Sequence, residues 1–307
     1  MVVNGAGDGP VVAAVDGSEH SLKALEWALR EARAARAEVV VAHVLPDHAQ
    51  FWHARRTSVV GEPPLPPADP VGDYVRKVLK DRQDLPPVRY ESLTGGSVSD
   101  ALDARAEGAR VMVLGSRGRG GFTSLLLGSI SRACATTAPC PVVVVPHTAR
   151  AAGVTARGGV VLGLNPSETA DEVVEFAFRH AALHGLGLTV MTAFTDPVSP
   201  LPLIGAPMAG VPEADAAPLL REVGLAQQER LAPFAAEFPR VRVENVVGPG
   251  DSAGQLVDRS EKASLLVVGR HRRRLKADSL LMGSVANAAL VHASCPVAVV
   301  PGPPRST

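Results

Sequence analysis

The chain has 307 residues, a length that favours two domains over one. Its 31 Lys+Arg balance its 31 Asp+Glu, so there is no global positive field to attract nucleic acid or an anionic membrane, and any phosphate must be held locally. Hydrophobic residues are 46% and charged residues 20%, the composition of a soluble globular chain and not of a disordered one.

The three cysteines, Cys134, Cys140 and Cys295, cannot all pair and form no C-x-x-C, so neither a disulfide framework nor a zinc ribbon is expected. Cys134 and Cys140 read as small buried residues and not as redox partners, and a reduced, cytoplasmic compartment is expected. Residues 1–10 carry no basic stretch followed by an apolar core, and no apolar run approaches the roughly 18 residues of a membrane span, so secretion and membrane insertion are not expected.

In chain order, residues 11–15 form a short apolar run, after which Leu22, Leu25, Leu29 and Ala32 fall on one helical face opened by Ser18 as N-cap. Residues 39–44 are a second buried run. A proline-rich loop, 46–72, leads to a helical pattern over 71–83 and a strand over 88–93. A short helix follows from Ser97, then the apolar run 111–114, a helix from Gly128 and a last strand over 142–145.

The second half repeats this order. Residues 9–18 match 158–167 at a shift of 149, residues 111–115 match 265–269 at a shift of 154, and Cys140-Pro141-Val142 matches Cys295-Pro296-Val297. The copy predicts a loop over 197–218, a helix over 219–238, a strand over 241–247, a helix from Asp251 and a final helix from Gly283. Near-continuous apolar strands joined through helices predict α/β architecture: two tandem doubly wound domains, each a five-stranded parallel sheet with helices on both faces. The predicted boundaries are 1–147, a linker over 148–157, and 158–307.

Ligands of such sheets bind beyond the carboxyl ends of the strands, where the strand order reverses. After the fourth strand the chain reads Gly115-Ser116-Arg117-Gly118-Arg119-Gly120-Gly121, then Gly128-Ser129 at a helix start. Glycines let backbone N–H groups close on a phosphate, the helix start favours an anion, and Arg117 and Arg119 add positive charge. The loop is not a P-loop, since no G-x-x-x-x-G-K-[ST] occurs, nor a dinucleotide fingerprint, since Thr123 stands where a third glycine is needed. The bland alternatives are a flexible turn and, for Asp16, an acid that merely favours a helix N-terminus.

The spacing Gly115-x2-Gly118-x9-Gly128-Ser129, with Val15-Asp16-Gly17-Ser18, His43-Val44 and Cys140-Pro141-Val142, resembles the ATP-binding members of the universal stress protein family. The resemblance covers both repeats and is similar to tandem-domain members from actinobacteria. It implies that Ala14, Val15 and Asp16 line an adenosine, with the Asp16 carboxylate near the ribose, and that the Val44 backbone pairs with the adenine edge. It implies further that Leu114 packs on the base, that Gly115, Ser116, Arg117, Gly118 and Arg119 surround ribose and phosphate, and that Gly128, Ser129 and Ile130 bind phosphates through backbone N–H groups. ATP with Mg2+ is the implied cofactor, the ion bridging phosphate oxygens because no acidic cluster would hold it alone. A stress or dormancy role, a protein partner, pairing of the two domains through their last strands and a homodimer are likewise implied.

The second copy departs from this pattern. Asn165 replaces the aspartate, and the loop reads Gly269-Arg270-His271-Arg272-Arg273-Arg274, with Arg272 where a glycine should be. A second nucleotide site on Gly163, Leu164, Asn165, Ala193, Val268, Gly269, Arg272, Gly283, Ser284 and Val285 is left open by the sequence. The arginine run reads as solvated or phosphate-facing and not as a nucleic-acid patch, since no aromatic platform accompanies it. His180 and His184, at i and i+4, lack a third ligand and read as a surface pair.

No nucleophile, base and orienting acid lie together in sequence near the glycine loop. The leading expectation is a cytoplasmic ATP-binding regulator in which nucleotide orders residues 117–122 and the 46–72 segment. The alternatives are a slow ATP hydrolase or nucleotidyl-transferring enzyme and a nucleotide-independent interaction scaffold.

Overall fold

The computed structural model describes residues 9–45, 68–118, 127–147, 158–194, 213–270 and 282–303. Arg119 and Arg272 lie outside the described residues, as do the linker expected over 148–157, residues 46–67 of the loop expected over 46–72, residues 119–122 of the 117–122 loop and residues 197–212 of the loop expected over 197–218. The chain divides into two compact units, residues 1–152 and 153–307.

In the first unit β1 (Val11–Ala14), β2 (Val39–Val44), β3 (Val88–Leu93), β4 (Val111–Gly115) and β5 (Val142–Val145) form a sheet in the order β3-β2-β1-β4-β5. Every pair is parallel, with Ala14 opposite Ala42, Val11 opposite Val111 and Leu114 opposite Val144. Valine-rich β4 and β5 are buried at each position. Such strands must be covered on both faces, and removing a Val or Leu side chain from water contributes about 1.5–3 kcal/mol.

Right-handed crossovers place α1 (Glu19–Ala35) and α2 (Pro70–Leu79) on one face, and α3 (Val98–Arg105) and α4 (Ser129–Thr137) on the other. Arg82, just beyond α2, accordingly ion-pairs with Glu26 of α1, while α3 packs on α4. Leu25, Leu29 and Ala32 hold the buried face of α1, and its entry is capped as expected, with Ser18 Oγ accepting from Ser21 N. Ser97 caps α3 in the same way, whereas α2 is capped by Asp69 and stops at Leu79, short of the expected end at residue 83.

The second unit repeats the plan with β6 (Val160–Gly163), α5 (Asp171–His184), β7 (Leu188–Phe194), α6 (Glu213–Glu237), β8 (Val243–Pro249), α7 (Ser252–Ser260), β9 (Leu265–Gly269), α8 (Ser284–His292) and β10 (Val297–Val300). Its strand order is β8-β7-β6-β9-β10, all parallel. The doubly wound α/β class expected from the sequence is therefore present in each unit.

Other local readings change: residues 213–218, expected to belong to a loop, are already helical in α6. β8 begins two residues later than expected, because Val241 N closes a turn onto Phe238 O. His180 is not on the surface: it is 7% exposed, on the buried side of α5 with Ala177 and Ala181, its ring 4.4 Å from that of His184. Arg270, read as solvated or phosphate-facing, is not solvated: it is buried, its backbone fastened to Val300 O.

Candidate functional site

Strands β1 and β4 are adjacent although their sequence neighbours run to opposite sides, so the strand order reverses between them. A cleft of about 530 Å3 opens there at the carboxyl ends of the strands. Its floor is apolar: Ala14, Ala42, Val44 and Leu114 from the strands and Val15 just after β1, with Val98 and Leu102 one turn apart on α3. Its polar lining comes from Asp16, His43, Arg117 and Ser129, with the buried Ser21 and Ser131.

The glycines explain how the rim closes. A Cβ on Gly115 would stand 2.7 Å from the His20 carbonyl oxygen, so glycine lets the first turn of α1 sit on the end of β4. A Cβ on Gly118 would stand 2.6 Å from Asp16 Oδ2, so this glycine brings the loop against that carboxylate. The other oxygen, Oδ1, accepts from Ser18 N at 2.9 Å and Ser18 Oγ at 2.6 Å, which fixes Asp16 at the cleft mouth. Gly17 supports the turn at φ +79°, a conformation glycine adopts without cost.

Helix α4 starts differently from its neighbours. Its N-cap is Gly128, which supplies no side-chain acceptor, whereas Ser18, Asp69 and Ser97 each cap a helix of the same unit. Gly128 N donates to Ser116 O at 2.7 Å and Ser131 Oγ donates to Gly115 O at 2.7 Å, so the start of α4 is pinned to the end of β4. The uncapped first turn at Ser129 and Ile130 thus faces the cleft beside Arg117, an arrangement suited to an anion.

Of the residues singled out for this site, Ala14, Val15, Asp16, Val44, Leu114, Gly115, Arg117, Gly118, Gly128, Ser129 and Ile130 all line the cleft. Ser116 does not: it is 3% exposed, and its backbone joins β4 to β5 through Val145 O. Sequence reasoning missed Ser21, Ala42, His43, Val98, Leu102 and Ser131 as lining residues. Ala42 shares the face of β2 with Val44, and Val98 and Leu102 are i and i+4 after the Ser97 cap, so period-2 and period-4 spacing from known positions carried a signal.

Two further clusters adjoin the cleft. At the end of β2, His43 Nδ1 lies 2.7 Å from Asp69 Oδ1, and Ser92 Oγ donates to Asp69 Oδ2 at 2.6 Å. Burial works to raise the Asp69 carboxyl, but the hydrogen bonds from Ser92, Gly72 N and His43 outweigh it and hold the group below the usual carboxylate value. Above β4, the His20 and His147 rings stand 4.3 Å apart near Arg117. Burial first, then His147, Arg117 and Lys23, push His20 below its ordinary value against the opposing pull of Glu19.

The second unit has a cleft at the equivalent place, lined by Gly163, Leu164, Asn165, Ala193, Val268, Gly269, Gly283, Ser284 and Val285 as expected, but its volume is about 120 Å3. Pro166 stands where the first unit has Gly17, and a proline ring cannot take positive φ. The turn is rebuilt, with Asn165 N donating to Thr169 Oγ1 and Asn165 Nδ2 to Glu168 Oε2, and α5 starts only at Asp171. This brings Glu168 to the cleft wall.

Against known proteins, the model of the universal stress protein family matches residues 9–146 and again 158–301. The chain belongs to that family. It is 30% identical over 319 residues to a universal stress protein of Mycolicibacterium smegmatis, covering 97% of this chain and 99% of the relative. It is 29% identical over 303 residues to one from Mycobacterium tuberculosis H37Rv, covering 94% and 96%. The crystal structure of a universal stress protein from Archaeoglobus fulgidus shares the fold, with a TM-score of 0.62 at 18% identity over 95% of this chain and 98% of that one. Among the described residues of this universal stress protein, no helix is long and apolar enough to cross a membrane.

Proposed function

We propose that this universal stress protein is a nucleotide-responsive regulator whose first unit holds an adenine nucleotide, ATP with Mg2+. The observation that carries the reading is the pairing, in one cleft of about 530 Å3, of an apolar slot with an uncapped helix start and an arginine. The volume lies within the 300–1,000 Å3 range of small-molecule sites. The slot suits a purine, and the loop with α4 suits phosphates.

In this reading the Val44 backbone pairs with the base edge, Leu114 packs on its face and the Asp16 carboxylate accepts from the ribose hydroxyls. Gly118 leaves room for the phosphates, which Arg117 and the N–H groups of Ser129 and Ile130 neutralise. Mg2+ would be held chiefly by phosphate oxygens, since Asp16 is the single carboxylate among the described lining residues and is already engaged by Ser18. Bound nucleotide changes the surface offered to a protein partner, which is how such a protein acts without turnover.

The test is to denature freshly purified protein and quantify released nucleotide, beside a Gly115→Ala/Gly118→Val variant and a Gly269→Ala variant. About one ATP per chain, lost in the first variant and kept in the second, supports the reading. A chain that carries none, and takes up none with ATP and magnesium, is an interaction scaffold. Sustained phosphate release that depends on Gly118 would instead make it a slow hydrolase.

A further inference from the structure

The two clefts are built on the same register and differ more than fourfold in volume, about 530 against about 120 Å3. In the first unit Ala14 of β1 lies opposite Ala42 of β2; in the second, at the same place, Gly163 of β6 lies opposite Met191 of β7. Ala42 presents one methyl to its cleft, whereas Met191 presents a four-atom side chain and is itself 2% exposed.

The opposite wall moves in as well. Leu102 on α3 and Leu256 on α7 are counterparts, both lining their clefts. Leu256 Cδ1 lies only 2.8 Å from where a Cβ on Gly163 would be, so it fills the space that the Ala14 methyl occupies in the first unit. Met191 from the strand and Leu256 from the helix therefore close the slot from both sides, and the remaining 120 Å3 is below the size of an ordinary ligand site. The polar end differs too, since the Glu168 carboxylate held by Asn165 Nδ2 replaces an open approach to the uncapped start of α8.

We propose that the second unit is a plugged form of the first, in which Met191, backed by Leu256, occupies the place a purine base would take, so that each chain offers one base slot. Met191 is thus the residue that decides specificity between the repeats, and Glu168 adds repulsion toward phosphate. The ligand's identity rests on the adenine reading of the first unit; the plug itself does not.

The experiment is equilibrium dialysis of the full chain with adenosine, which probes the base slot alone, and with ATP and magnesium. Wild type is compared with the reciprocal exchanges Ala42→Met and Met191→Ala and with the double variant, each first shown to be folded by circular dichroism. One adenosine per wild-type chain is expected, weakened about 100-fold or more by Ala42→Met. Met191→Ala should bind two, and the double variant one, in the second unit, with adenosine held there more tightly than ATP because Glu168 remains. If Met191→Ala does not fold, Met191→Val and the Ala42→Met exchange carry the test.

Two adenosines per wild-type chain, or a folded Met191→Ala that gains none, overturns the plug and leaves the first unit's reading intact. A wild type that binds none beside a Met191→Ala that binds one upholds the plug and removes the nucleotide reading.

Discussion

His43 and Asp69, 26 positions apart, meet through a 2.7 Å Nδ1 to Oδ1 contact that ties the end of β2 to the N-cap of α2. Asp69 is 7% exposed and accepts in addition from Gly72 N and Ser92 Oγ, so one buried carboxylate fastens two strands and a helix beside the Val44 edge of the cleft. Asp69→Ala removes the cap and strands His43 and Ser92, at an expected loss of about 2 kcal/mol. The carboxyl is held below its ordinary value, so its contribution is complete above that value, about 4, and fades as pH falls through the lower folded value. Denaturant unfolding at pH 7 and pH 3 checks this: the gap between wild type and Asp69→Ala should narrow at pH 3.

His20 gives a dependence in a different pH window. Its folded value is depressed by burial and by the neighbouring His147, Arg117 and Lys23, so below the ordinary value of about 6.5 the unfolded chain takes up the proton first. Stability from the neutral ring is therefore present above about pH 6.5 and is lost as pH falls through the depressed folded value. A His20→Gln variant should show a flatter fall in thermal midpoint between pH 7 and pH 5. An identical slope in both proteins would show that His20 does not carry this dependence.

The repeat, the strands and the cleft were legible because they rest on short-range signals. Val39–Val44 and Val111–Gly115 are apolar runs, Ser18 and Ser97 stand at helix entries, and the glycines that shape the rim lie close together in the chain. What stayed hidden depends on which way a residue faces once the sheet exists. Ser116 sits within the glycine loop yet turns into the core, and Ala42 in a valine run gives no hint that its methyl marks an open slot. His20 and His147 meet because β4 and β5 bring the end of the first unit back over the start of α1, and His180 was misread because its helix face is buried. The sequence drew notice to Asn165 and Arg272 in the second copy, while the filling of its cleft comes from Met191, an ordinary core residue by composition.

The cysteines should be chemically silent in the folded chain. All three are buried, and burial pushes the Cys295 thiol up to about 12 and the Cys134 thiol further still, the latter also through Asp103. At pH 8 the reactive thiolate of Cys295 is then about 1000-fold or more scarcer than that of a free cysteine. Iodoacetamide followed by mass spectrometry should find no adduct on the native protein at a time when the urea-unfolded chain carries three. Rapid native labelling of Cys295 would mean that β10 opens far more readily than its burial indicates.

Gly115 and Gly118 lie three residues apart and should fail for different reasons when a methyl group is added. At Gly115 the new Cβ meets the His20 carbonyl at 2.7 Å and the adjoining carbonyl carbon at 2.8 Å, backbone that can yield only if α1 shifts on β4. Gly115→Ala should therefore cost about 1–3 kcal/mol in stability, the usual penalty of overpacking, and disturb binding as a consequence. At Gly118, exposed at the rim, the close atom is Asp16 Oδ2, the end of a side chain, which can swing away by giving up its bonds to Ser18. Gly118→Ala should change the unfolding free energy by less than about 0.5 kcal/mol while weakening ATP, because the displaced Asp16 no longer faces the ribose. Paired denaturation and nucleotide titration of the two variants separate these effects. A Gly118→Ala protein as destabilised as Gly115→Ala would make the loop a packing element, and a Gly118→Ala protein that binds ATP as wild type does would remove Asp16 from the site.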